Sequence, residues 1–66
     1  MQITLNGKPY TLKNQVNLSE LSEILKLEAT QVAIERNREI IPRSLYGQTM
    51  LEEGDELEIV TFIGGG

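Results

Sequence analysis

Glu56-Leu57-Glu58-Ile59-Val60-Thr61-Phe62-Ile63, running on into Gly64-Gly65-Gly66, is the stretch on which the fold turns. Its alternation predicts the last and longest strand over residues 56–63, following a turn at Glu53-Gly54-Asp55. Leu57, Ile59 and Thr61 share one face and Glu58, Val60 and Phe62 the other, because side chains alternate along a strand. If Leu57 and Ile59 point into a core, Val60 and Phe62 stand on an open face beside the three glycines. Phe62 is the sole phenylalanine of the chain. It either anchors an interface, since an exposed aromatic next to an apolar neighbour is costly to leave wet, or is buried by twist of the strand or a fold-back of the tail.

Outward from this strand, toward the N-terminus, the remaining elements follow from periodicity. Ile3 and Leu5 alternate with Gln2 and Thr4, Asn6-Gly7 tolerates the positive φ of a tight turn, and Tyr10 and Leu12 alternate again: an opening β-hairpin. Pro9 sits where a missing N–H is tolerated if its strand lies at an edge. From Asn17 the period becomes helical, with Leu18, Leu21, Ile24 and Leu25 on one face and Ser19, Glu20, Ser22, Glu23 and Lys26 on the other. Asn17 with Glu20 resembles a capping box, and the helix is expected to end near Lys26 or Leu27. Val32 and Ile34 mark a further strand, Asn37-Arg38-Glu39 a turn, and Ile40-Ile41 a short edge strand stopped by Pro42. Between Arg43 and Met50 the pattern is irregular, with Leu45, Tyr46 and Met50 available to cover the core and Gly47 to turn the chain. One helix covers one face of a sheet, which gives an α+β two-layer sandwich of four to five strands. If the first and last strands pair at its centre, the arrangement is the β-grasp.

Sixty-six residues suit a single domain, 1–66, whose core is thin: at this size folding buries only about 60% of the unfolded chain's surface. With no cysteine and no histidine, the usual nucleophiles, neutral-pH acid–base groups and soft metal ligands are missing, so neither a self-contained enzyme nor a metal site is expected. No apolar run approaches the roughly 20 residues of a membrane span, and Met1-Gln2-Ile3-Thr4 lacks the build of a signal peptide, which points to a cytoplasmic protein. A net charge of −4 repels nucleic acid and anionic lipid and favours a basic protein partner. Glu52, Glu53, Asp55, Glu56 and Glu58 concentrate the acids in one segment, readable as a solvated rim or as a steering patch, while Arg36, Arg38 and Arg43 gather mid-chain.

Glycines 64–66 have no side chains to pack and are expected to form a flexible tail. Lacking Cβ atoms, they can thread a narrow slot, and three extended residues reach roughly 10 Å. A terminal carboxyl is ionised at neutral pH, so the Gly66 carboxylate can attack the α-phosphate of ATP held in a partner's site. The acyl-adenylate so formed carries a good leaving group, and sulfur delivered to its carbonyl leaves a thiocarboxylate.

Asn6-Gly7, the run from Val32 to Asn37, Ile40-Ile41-Pro42-Arg43, and the run from Gly54 to Val60 leading into Gly65-Gly66 together resemble the ThiS family of ubiquitin-like sulfur carriers, over nearly the whole chain. The resemblance implies a β-grasp fold and adenylylation of Gly66 with ATP by a ThiF-like adenylyltransferase. It further implies conversion to the thiocarboxylate with sulfur from a cysteine desulfurase or other donor, and delivery of that sulfur to a ThiG-like thiazole synthase for thiamin. No cofactor would be bound by the carrier itself. Gly65 and Gly66 match the family's functional pair, Gly64 lengthens the threading tail, and Phe62 and Ile63 fall where family members contact partners, with Val60 added to that interface by its place on the open face. Molybdopterin sulfur carriers share this chemistry but often place prolines before the diglycine. Ubiquitin-like modifiers approach it through arginines, which are absent between Glu56 and Gly66. A non-catalytic interaction module binding through Val60, Phe62 and the acidic rim is the reading from another class; it predicts that removing the tail spares function.

Overall fold

Asn6 and Gly7 both take positive φ, 50° and 83°, as a two-residue hairpin turn matched to strand twist requires. They join β1 (Gln2–Leu5) to β2 (Lys8–Thr11). The structure, a computed structural model, describes residues 1–62. Pro9 lies opposite Thr4 on β2, the outermost strand, so its missing N–H faces no neighbour.

Asn17 caps α1 (Leu18–Ile24) reciprocally: its Oδ1 accepts the Glu20 N–H at 2.8 Å, and the Glu20 carboxylate accepts the Asn17 N–H at 2.9 Å. The helix stops at Ile24, short of the expected Lys26 or Leu27. Lys26 turns left-handed at φ 59°, and the N–H groups of Lys26 and Leu27 reach back to the carbonyls of Glu23 and Ser22 at 3.0 and 2.8 Å. This is a Schellman stop made without glycine. The buried stripe also differs from the expected one. Leu18, Leu21 and Ser22 are buried and Leu25 half-buried, whereas Ile24 is 49% exposed. At 3.6 residues per turn Ile24 lies about 110° round from the centre of that stripe, and Ser22 lies on it. The serine hydroxyl is satisfied by donating to the Leu18 carbonyl at 3.0 Å.

A short 3-10 turn, Ala29–Gln31, leads into β3 (Val32–Arg36), which turns back through Asn37 and Arg38, both at positive φ, into β4 (Glu39–Ile40). The irregular segment is a 3-10 helix, Arg43–Gln48. Its Tyr46 is buried over the core, but Leu45 and Met50 stay largely exposed, and Leu51 takes the fully buried place instead. Gly47 lies within this helix and does not turn the chain. The turn before the last strand is made by Gly54, at φ 84°.

β5 (Glu56–Thr61) is the central strand of a five-stranded sheet ordered β2-β1-β5-β3-β4. It runs parallel to β1, with Thr4 beside Glu56 and Leu5 beside Leu57, and antiparallel to β3 from Leu57 to Thr61. First and last strands side by side at the centre, with one main helix on one face, make the β-grasp. Ile3, Leu18, Leu21, Ile34, Leu51 and Leu57 form the innermost core between sheet and helix. Ile63, the expected last residue of the strand, lies outside the described residues.

Candidate functional site

Three devices hold β5 in place. The first is Asn6. Past Leu5 the backbone of β1 leaves the ladder, and the Asn6 side chain continues it: Oδ1 accepts the Ile59 N–H at 2.7 Å and Nδ2 donates to the Ile59 carbonyl at 3.3 Å. Together with the Asn6 N–H on the Leu57 carbonyl at 2.8 Å, this amide takes the position a continuing strand would fill, so the donor and acceptor of Ile59 are paired. On the other flank Phe62 donates its N–H to the Gln31 carbonyl at 2.7 Å, which keeps the chain in register with β3 beyond Thr61.

The third device is Asp55, just ahead of the strand and only 6% exposed. Its Oδ2 accepts from Arg36 Nε at 2.8 Å and from the Glu52 N–H at 2.9 Å, and its Oδ1 accepts from Asn37 Nδ2 at 3.1 Å. Asn37 also accepts the Glu56 N–H at 3.0 Å. Burial by itself raises the Asp55 pKa, but the Glu52 N–H, the Arg36 guanidinium and the Asn37 amide favour the charged form more strongly and hold it below its ordinary 3.8. The same hydrogen bond raises the Arg36 pKa. Arg36 also meets Glu52 at 3.3 Å, and the Glu53 carboxylate accepts the Gln2 N–H. Asp55 is therefore structural, and the reading of the whole run as a solvated rim or steering patch is corrected for it; Glu52 and Glu53 make these contacts from the exposed surface.

Anchored this way, β5 presents Leu57 and Ile59 to the helix side and Glu58, Val60 and Phe62 to the open side. Val60 is 55% and Phe62 57% exposed, so within the described residues Phe62 is not buried by twist. Ala33 lies beside Val60 on the same open face, and Ile40, 74% exposed, stands opposite Glu35 one strand further out. Val60 and Phe62 are thus brought together as the sequence predicts; Ile63, Gly64, Gly65 and Gly66 lie outside the described residues. Among the described residues, no group of three or more potential ligand side chains is placed to hold a metal ion, and no helix is long and apolar enough to cross a membrane.

The sequence profile of the ThiS family matches residues 3–66. The chain belongs to the ThiS family. Among curated ThiS relatives, the sulfur carrier protein ThiS of Bacillus subtilis is 38% identical over 65 residues, covering 97% of this chain and 98% of that one. A thiazole synthase of Paramagnetospirillum magneticum is 41% identical over 66 residues, covering all of this chain, which spans 20% of the length of that relative. The crystal structure of the thiamine biosynthesis protein ThiS from Geobacter metallireducens superposes with a TM-score of 0.86 at 38% identity and covers 100% of both chains.

The anchors of β5 are what sequence reasoning missed. Asn6 and Asn37 register there as turn residues, and only their left-handed backbone was legible; that each side chain also reaches a neighbouring strand depends on pairings up to 53 positions apart. An aspartate closing a glycine turn was the one local hint of Asp55.

Proposed function

We propose that this chain is a sulfur carrier of thiamin biosynthesis, working in the cytoplasm, whose reactive group is the Gly66 carboxylate. The observation that carries the reading is the exit of β5: a strand fixed on both flanks turns Val60 and Phe62 outward immediately before Ile63 and three glycines, in a chain of the ThiS family. A carrier needs a rigid body that a larger enzyme can grip and a bare terminus that enters that enzyme's site.

The chemistry follows from the carboxylate. One Gly66 oxygen attacks the α-phosphorus of ATP in a ThiF-like adenylyltransferase, the bond to pyrophosphate breaks, and an acyl-adenylate forms. Sulfide from a donor attacks the carbonyl carbon and expels AMP, leaving the thiocarboxylate. Where a cysteine desulfurase is the donor, its persulfide attacks instead, AMP leaves, and a thiol reductant cleaves the S–S bond of the acyl disulfide so formed, its own sulfur ending in a disulfide. The thiocarboxylate is the better nucleophile and passes its sulfur to the thiazole built by a ThiG-like synthase. In this scheme the chain is a co-substrate and its partners are the enzymes; Gly64 and Gly65 thread the slot, and Val60, Phe62 and Ile63 form the grip. The match between this whole chain and one fifth of proteins named thiazole synthase supports a carrier that works against such a synthase.

The test is growth of a strain that lacks its own carrier and requires thiamin. The intact chain restores growth without thiamin, and the chain lacking Gly66 does not, although both give the same folded circular dichroism spectrum. Growth restored by the deletion variant would place the function elsewhere, on the body of the domain.

A further inference from the structure

The register of the open sheet face sets like charges against each other. Glu35 on β3 lies directly opposite Glu58 on β5, and Glu56, two positions before Glu58, stands on the same face beside Thr4. Like charges directly across a strand pair are destabilising. Nothing on the face relieves them: the ion pairs of the described residues are both made by Arg36, to Asp55 and Glu52. Arg38 borders the hollow lined by Thr4, Glu35, Glu56 and Glu58 and is in ion-pair contact with none of these carboxylates. A local arrangement that opposes stability without a compensating contact marks a surface shaped by a different requirement.

That surface has a direction. Ala33, Val60 and Phe62 make its apolar part, toward the end of β5; Glu58 and Glu56 lie further back along that strand, with Ile40 level with Glu35 one strand further out. At about 3.3 Å per residue, Glu58 is roughly 13 Å from Phe62. We propose that Glu35, Glu56 and Glu58 are the steering half of the docking face, which takes a protein partner presenting Arg or Lys side chains roughly 13 Å from an apolar socket for Phe62. The inference rests on the reading of Val60 and Phe62 as the carrier's grip. Charge decides the occupant. A second copy of this chain would set carboxylates against carboxylates, and the phosphates of nucleic acid or anionic lipid would be repelled in the same way. A basic protein surface is attracted at long range and, because the carboxylates lie toward the start of β5 and Phe62 past its end, meets the face in one orientation.

The experiment measures association and dissociation rates of the full chain with the adenylyltransferase of the same organism, at about 50 to 300 mM salt, where screening changes most. For the unsubstituted chain the association rate falls as salt rises. Glu35→Gln with Glu58→Gln slows association about tenfold at the lowest salt and flattens the salt dependence, with dissociation little changed. The thermal midpoint of this double variant is equal to or above that of the parent, because the cross-strand repulsion is gone. Phe62→Ala speeds dissociation and keeps the parent's salt slope. A double variant with the parent's association rate and salt slope overturns the inference and leaves the three carboxylates as a solvated face. Phe62→Ala binding like the parent overturns instead the docking face on which the inference rests, and no binding by the parent removes the carrier reading itself.

Discussion

Asp55 shows how much one side chain can fix. Its two oxygens join the turn at Glu52, the end of β3 through Arg36 and the β3–β4 turn through Asn37, all within the approach to the central strand. The charged form carries these bonds, so stability from Asp55 is fully present above the unfolded pKa, near the ordinary 3.8, and is lost as pH falls through the lower folded pKa. Asp55→Asn keeps the size but loses the charge opposite a partly buried guanidinium; about 2 kcal/mol of stability should go with it. Thermal unfolding checks this: the midpoint of the parent should fall on acidification below about pH 4, and the variant, already lowered at neutral pH, should fall less over that range. Equal slopes for the two proteins would show that Asp55 is not the titrating anchor.

At the scale of elements, α1 separates the legible from the illegible. Its start could be read from four residues, because a capping box is a local hydrogen-bonding pattern between Asn17 and Glu20. Its end could not, because the left-handed residue is Lys26, a type that gives no warning of that backbone. Nor could the membership of its buried face: an isoleucine in a leucine-rich helix counts as core by composition, yet the sheet meets the stripe through Leu18, Leu21, Ser22 and Leu25. Leu21→Ala should therefore cost about 2–5 kcal/mol in chemical denaturation, as a cavity in a full core does, whereas Ile24→Ala should cost no more than about 0.5 kcal/mol. Comparable losses would return Ile24 to the core. The hairpin, the edge strand with Pro9 and the alternation of β5 were readable for the opposite reason, since each is set by near neighbours. The 3-10 helix at Arg43–Gln48 was not, because it follows the gap between helix and sheet that Tyr46 and Leu51 fill.

For the whole molecule, sequence supplied the parts in order and the topology supplied their use. Alternation divides β5 into Leu57 and Ile59 on one side and Val60 and Phe62 on the other, but only the pairing of β5 between β1 and β3 makes one side a core and the other an open face. The body of the domain keeps that strand in register and holds Val60 and Phe62 on its open face. The chemistry assigned to Gly66 is tested most directly by the mass of the intact chain after incubation with ATP, the adenylyltransferase and a sulfur donor. The account predicts a gain equal to one oxygen replaced by sulfur, localised to Gly66 by fragmentation; an unchanged mass, with an adenylyltransferase shown to be active on its own carrier, would contradict it.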